Sequence, residues 1–196
     1  MNFADAGPRY TKVAVTLHWL IAALVIVQLI LGWSMIEIPK EPVGVRAFWF
    51  NLHKSIGMSI ALLVVVRIAW RVRHPAPPLP ASVPAWQRRA AAASHALLYA
   101  CLVGMPLAGF LGSTFSGYPI KYFGIAPPQW GFKSDPLKAF FSVVHLGFAW
   151  VFMALIALHT SAALKHLLIN RDGVFWRMWP RPLRQTVNPR IQTSEL

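Results

Sequence analysis

The chain has 196 residues, 56% of them hydrophobic and only 13% charged, with a formal net charge of +13. A soluble domain carries about 25% charged residues, so an ordinary soluble fold is excluded. The excess of basic residues points to a membrane surface rather than to nucleic acid, because the charges are segregated: no Asp, Glu, Lys or Arg falls in 13–36, 55–66, 90–120 or 139–164.

The first, third and fourth of these gaps are each long enough to cross a hydrocarbon layer of about 30 Å. The second is short and reaches that length only if Lys54 and Arg67 extend to the two interfaces, as long basic side chains do. Four transmembrane helices are therefore expected, at roughly 13–35, 48–70, 89–111 and 139–167. In lipid every backbone polar group must be satisfied within its own segment, so the expected fold is an all-α integral membrane four-helix bundle over 1–180. A basic, Pro- and Arg-rich tail, 181–196, is expected to be disordered. The connection between helices 2 and 3 carries Arg71, Arg73, Arg88 and Arg89 with no acid, and the carboxyl tail is also rich in arginine. The loop between helices 1 and 2 balances Lys40 and Arg46 with Glu37 and Glu41. The positive-inside rule then puts both termini and the 2–3 connection in the cytoplasm, where basic residues suit anionic lipid heads. Helix 1 is too long for the core of a cleaved signal peptide, and no small-residue cleavage site follows it.

In chain order, His18-Trp19 comes one to two turns into helix 1, in the inner leaflet, and Gln28 is the only other strongly polar side chain there. Helix 2 enters from outside with His53 at the outer level; Gly57, one turn on and on the same face, either leaves room for a flat ring or lets two helices pack closely. Arg67 near its exit reads as an interface anchor. His74-Pro75-Ala76-Pro77-Pro78-Leu79-Pro80 is a stiff extended connector. Helix 3 carries Cys101, read as a small core residue, and His95 at the inner level; Pro106, flanked by Gly104 and Gly109, is expected to kink it. Residues 112–138 form a long outer loop, aromatic and rich in Pro and Gly, expected to be a compact lid, with Lys121, Lys133 and Lys138 against Asp135. Helix 4 carries His145 and His159, followed by Lys165 and His166 at the inner interface.

His145 and His159 are 14 residues apart. In a helix that spacing is almost four turns, so both rings leave one face about 21 Å apart along the axis. Sorted by depth, the outer level holds His53 and His145, and the inner level holds His18, His95 and His159. Imidazole is a common axial ligand of haem iron, and two imidazoles saturate it, leaving an electron-transfer centre. Zinc takes about four N, S or O ligands, and a proton relay normally includes Asp or Glu; the four spans hold no carboxylate. Two b-type haems between helices is the reading that uses these residues best. Depth pairs His53 with His145. At the inner level three histidines compete for two positions, with His159 favoured by sharing a face with His145.

His18-Trp19, His53 at the head of helix 2, the arginine-rich exit of that helix followed by Pro-x-Pro-Pro, and the His-x13-His of helix 4 resemble the bacterial cytochrome b561 family over about residues 8–180. That family is related to the cytochrome b subunits of nickel hydrogenases and formate dehydrogenases. The resemblance implies a multi-pass protein of the bacterial inner membrane with two b-type haems, His53 and His145 holding the outer one and His18 and His159 the inner one. It leaves His95 as a non-ligand near the inner haem or a quinone pocket, places His166 and Lys165 by that pocket, and makes Arg67 a partner for a haem propionate. Short stand-alone members resemble the superoxide oxidase type, which takes electrons from superoxide at the periplasmic side and reduces ubiquinone. The alternatives are an electron-transfer subunit serving a dehydrogenase or a periplasmic cytochrome, and a haem-free transporter or scaffold that uses its histidines as structural hydrogen-bonders.

Overall fold

The computed structural model describes residues 8–42, 44–126 and 128–180; the expected tail, 181–196, lies outside the described residues. Four helices dominate: α1 (Lys12–Ser34), α2 (Val45–Arg73), α3 (Ala85–Thr114) and α4 (Asp135–Lys165). A single π turn, His166–Asn170, and a short 3-10 turn, Phe175–Arg177, follow α4. All four helices are long and apolar enough to cross a membrane.

Both α2 and α3 run three or four residues past their expected limits at each end, and α4 begins four residues early. Apolarity marks only the stretch that lies in hydrocarbon, whereas the backbone stays helical through the head-group level. The extra turns carry charges suited to their positions. Arg71 and Arg73 occupy the last turn of α2, and Asp135 the first turn of α4 beside a proline; cations favour helix C-termini, anions and Pro favour N-termini. Thr11 caps α1 by accepting the Ala14 N–H at 3.3 Å.

Neighbouring helices are antiparallel. Gln28 of α1 meets the start of α2 at His53, while Ala14 meets its end at Arg67. Likewise Gly104, Gly109 and Gly112 of α3 face Phe148, His145 and Phe141 of α4 in that order. The closest helix contacts are those of α3 with α4 and of α1 with α2, with α2 and α3 next. Each glycine of α3 is a notch that brings the α4 side chain close, the small-residue device of helices in lipid. Helix α3 runs on through Pro106, the expected kink, without a break in assignment. The buried apolar core is small: Ile21, Val25, Ile60, Val64, Cys101 and Phe152. Large apolar side chains such as Ile30, Leu62, Val143 and Leu158 are exposed, as lipid-facing positions must be.

The end of the bundle where α1 starts and α4 finishes is the lower end; the other is the upper end. At the upper end the α3–α4 loop folds back on α2. Tyr122 and Ile125 exchange backbone hydrogen bonds of 2.8 and 3.0 Å, and the Gln129 amide binds both the N–H and the carbonyl of Ile120. Ser55, buried on α2, donates to Asn51 O at 2.8 Å and accepts the Phe123 N–H at 2.9 Å. Ser59, one turn on, meets the Tyr122 hydroxyl at 3.1 Å. The loop is thus the compact lid expected, fastened two residues from His53.

At the lower end the segment after α4 is tied to the start of the chain. Arg177 is buried and its Nε donates to Pro8 O at 2.8 Å. Arg9 donates to the carbonyls of Trp176 and Trp179, and Trp19 Nε1 donates to Met178 O at 2.8 Å.

Replacing Ser55 by Ala leaves the part-buried Phe123 N–H without its acceptor. Losing a hydrogen bond of this kind costs about 0.5–1.5 kcal/mol, so Ser55→Ala should lower the unfolding midpoint in detergent and expose the loop to faster proteolysis, with the helical circular dichroism unchanged before the transition.

Candidate functional site

His53 and His145 face each other at the upper level. Their ring centres are 6.2 Å apart with planes at 75°. Nδ1 of His145 lies 2.8 Å from the Met105 carbonyl. A carbonyl only accepts, so Nδ1 bears the proton and Nε2 keeps its lone pair for a metal. Gly109 makes this possible: a Cβ there would fall 2.9 Å from His145 Nδ1. On the opposite side, a Cβ on Gly32 would fall 3.1 Å from His53 Cε1. Glycines on α1 and α3 therefore cradle the two rings, and His53 Nδ1 is buried with no hydrogen-bond partner.

At Gly57 a notch faces α1. Gln28 fills it: its Nε2 would lie 3.2 Å from a Cβ at Gly57 and donates to His53 O at 2.7 Å. This contact is the close packing of two helices, with the Gln28 amide finding its acceptor on the facing helix.

At the lower level the three histidines come together. His18 and His159 have ring centres 6.3 Å apart at 76°, and His95 and His159 are 5.4 Å apart at 64°. His18 and His159 are half-buried, whereas His95 is exposed. Two imidazoles bound to opposite sides of one metal, each by a bond of about 2.0–2.1 Å with the ring centre roughly one ångström behind the nitrogen, sit about 6 Å apart centre to centre. The pairs His53–His145 and His18–His159 fit that separation, and their interplanar angles match. Among the described residues no group of three or more His, Cys, Asp or Glu is arranged to hold a bare metal ion. An iron that brings four ligands of its own in a porphyrin is the centre that two imidazoles complete.

Arg67, read from sequence as an interface anchor, is bonded across the bundle instead. Its Nε donates to the Tyr99 hydroxyl at 3.1 Å and its Nη1 to Ala14 O at 2.9 Å. It lines a small cavity with Ala14, Trp70, Arg71, Tyr99 and Met178. The guanidinium is turned inward because the α1 carbonyl and the α3 phenol offer fixed acceptors that lipid does not. An anionic propionate is a chemical match for a guanidinium so held. Tyr99 had no signal in the sequence, since a tyrosine in an apolar helix ordinarily marks an interface.

Lys165 is exposed at the end of α4. His166 pairs with Asp172, Nδ1 to Oδ2 at 2.6 Å. Asp172 lies in the arginine-rich carboxyl tail, where an acid reads as a counter-charge. Its six-residue spacing from His166 fits no regular helical contact, so the pairing depends on the turn that follows α4.

The profile of the prokaryotic cytochrome b561 family matches residues 9–181. The chain is 34% identical over 184 residues to cytochrome b561 homolog 2 of Escherichia coli, covering 91% of this chain and 95% of the relative. It is 27% identical to cytochrome b561 homolog 1 of the same organism, covering 88% and 98%. With a probable superoxide oxidase of Yersinia pestis it shares 29% identity, covering 88% and 97%. Four membrane-length helices, two facing pairs of imidazoles and a profile match over nearly the whole bundle agree: the chain belongs to the prokaryotic cytochrome b561 family, multi-pass bacterial inner-membrane proteins that bind b-type haem and transfer electrons.

Proposed function

We propose that the protein is a di-haem superoxide:ubiquinone oxidoreductase, with His53 and His145 as axial ligands at the upper level and His18 and His159 at the lower. The observation that carries it is the repeat of one geometry at two depths, 6.2 Å and 75° against 6.3 Å and 76°. His95, nearer to His159 and more exposed, breaks that repeat and is assigned to the edge of a quinone pocket with His166 and Lys165. Bound haem supplies reversible one-electron transfer.

The chain's own residues do the rest. By the positive-inside rule the arginine-rich lower end is cytoplasmic and the upper end periplasmic. Lys133 on the exposed upper loop and Lys138 in the exposed first turn of α4, with Lys121 on the strap that Ser55 fastens beside His53, draw a small anion towards that level. The Met105 carbonyl holds the His145 proton on Nδ1 and so keeps Nε2 free. Arg67 neutralises negative charge at the lower level. Two superoxide ions each lose one electron and leave as dioxygen, while one ubiquinone gains two electrons and two protons. The superoxide donor is supported by the likeness to a probable superoxide oxidase.

His53→Ala and His145→Ala should each bind one haem fewer than the parent, read by a pyridine haemochrome count per chain. His95→Ala should keep both haems; losing one would mean that His95, not His18, pairs with His159. Gly109→Ala, which drives a methyl group towards His145, should lower occupancy of the same haem that His145→Ala removes. Purified protein given enzymatically generated superoxide and a short-chain ubiquinone should release dioxygen and form quinol. Full haem loading without this activity would exclude superoxide as donor and leave a protein partner in that role.

A further inference from the structure

The end of α4 departs from regular helix at His166. Residues His166–Asn170 form a π turn, and the chain then reverses through Arg171 at φ 50° and Gly173 at φ 80°. Single π turns and left-handed non-glycine residues are uncommon and concentrate at functional sites. The reversal brings Asp172 back over the ring it left six residues earlier. Asp172 Oδ2 lies 2.6 Å from His166 Nδ1, and Oδ1 accepts the Val174 N–H at 3.2 Å. Both oxygens of the carboxylate are therefore placed, one by the turn and one by the ring. Only 16% of the His166 side chain and 15% of that of Asp172 remain exposed. The Asn170 amide stands 3.3 Å from the same ring nitrogen.

A carboxylate accepts and does not donate, so the proton of the 2.6 Å bond sits on Nδ1. With Nδ1–H committed, this ring exchanges a proton at Nε2 alone. Asp172 also touches neither level of candidate haem ligands, so its placement serves His166 and the turn rather than an axial imidazole.

We propose that Asp172 is a positioning residue that fixes the tautomer of His166, so that Nε2 delivers one proton to a quinone carbonyl oxygen as the quinone is reduced. This rests on the assignment of His166 to the quinone pocket above. In the step the Nε2–H bond breaks and an O–H bond forms on the quinone. The ring is left neutral with its Nδ1–H still on Asp172, and water at the lower face returns a proton to Nε2. The second proton of the quinol comes from water at that face, and both electrons come from the one-electron donor oxidised at the upper end.

The test uses the full haem-loaded protein, reduced with stoichiometric dithionite and mixed with a short-chain ubiquinone while haem reoxidation is followed by absorbance. Starting from chemically reduced protein removes any dependence on superoxide. Asp172→Asn keeps an oxygen for the Val174 N–H but can turn an amide N–H towards His166, favouring the opposite tautomer. General acid catalysis by a placed side chain contributes about 10²–10⁴-fold, so Asp172→Asn should slow reoxidation at least about tenfold. Haem count and spectrum should not change, and the nitrogen-15 resonances of His166 should move from the Nδ1–H to the Nε2–H pattern. His166→Ala should be as slow. If His166→Ala reoxidises at the parental rate, the quinone-pocket assignment falls and the proposal with it. If His166→Ala is slow but Asp172→Asn is as fast as the parent, the assignment stands and the positioning role is overturned. A slow Asp172→Asn protein whose His166 keeps the Nδ1–H pattern overturns it as well.

Discussion

The candidate site depends on one constraint: α4 presents two imidazoles on one face, and each faces a ring from a different helix about 6 Å away. His145 meets His53 of α2 and His159 meets His18 of α1. Helices α1 and α2 pack on each other, as do α3 and α4. Both ring pairs therefore bridge the seam between the two helix pairs rather than the interior of either. A seam lined by imidazoles is costly in an apolar bundle unless the ring nitrogens find partners. One is satisfied by the Met105 carbonyl, whereas the His53 Nδ1 is left bare.

Around that seam the helices approach closely where side chains are small. Gly109 admits His145, Gly32 admits His53, and Gly57 admits the Gln28 amide that grips the His53 carbonyl. The upper ring pair is thus fixed from all four helices. The lid adds a further restraint, since Ser55 lies on the same helix as His53 and holds the loop backbone at Phe123. Packing of this kind sets ring orientation by exclusion: Gly32 and Gly109 are each within about van der Waals distance of an imidazole, where even one methyl group is felt.

Much of this was legible in the sequence. Charge-free runs mark the four spans because hydrocarbon excludes charge, and they undershoot the helices because head groups do not. Depth along the spans pairs His53 with His145 without reference to any contact. Depth could not choose among His18, His95 and His159, since all three lie at one level; their ring separations and exposures differ only in the folded chain. Gly109 read as a flank of Pro106, yet its part is played 36 residues away at His145. Ser55 had no signal because its partner, the Phe123 N–H, is 68 residues distant. Arg67 was misjudged for a related reason. A basic residue near a helix exit ordinarily faces the interface, and only the fold places Tyr99 and the Ala14 carbonyl within its reach. Contacts between distant residues of ordinary type leave no periodicity to read.

The lower end links these elements. Trp19, adjacent to His18, donates to the Met178 carbonyl. Arg177 and Arg9 tie the same segment to the start of α1 in both directions, the first donating to Pro8 O and the second to the carbonyls of Trp176 and Trp179. Between α4 and this clasp lies the turn in which Asp172 holds His166. The chain from His159 to Trp179 is therefore anchored at its far end to the helix that supplies His18. That segment is bonded at its far end to Trp19 of α1 and to Pro8 before it, and it carries the carboxylate that holds His166. A clasp of backbone carbonyls held by guanidinium groups suits this place: it satisfies the carbonyls of a segment that has left the helix, at the depth where water becomes scarce.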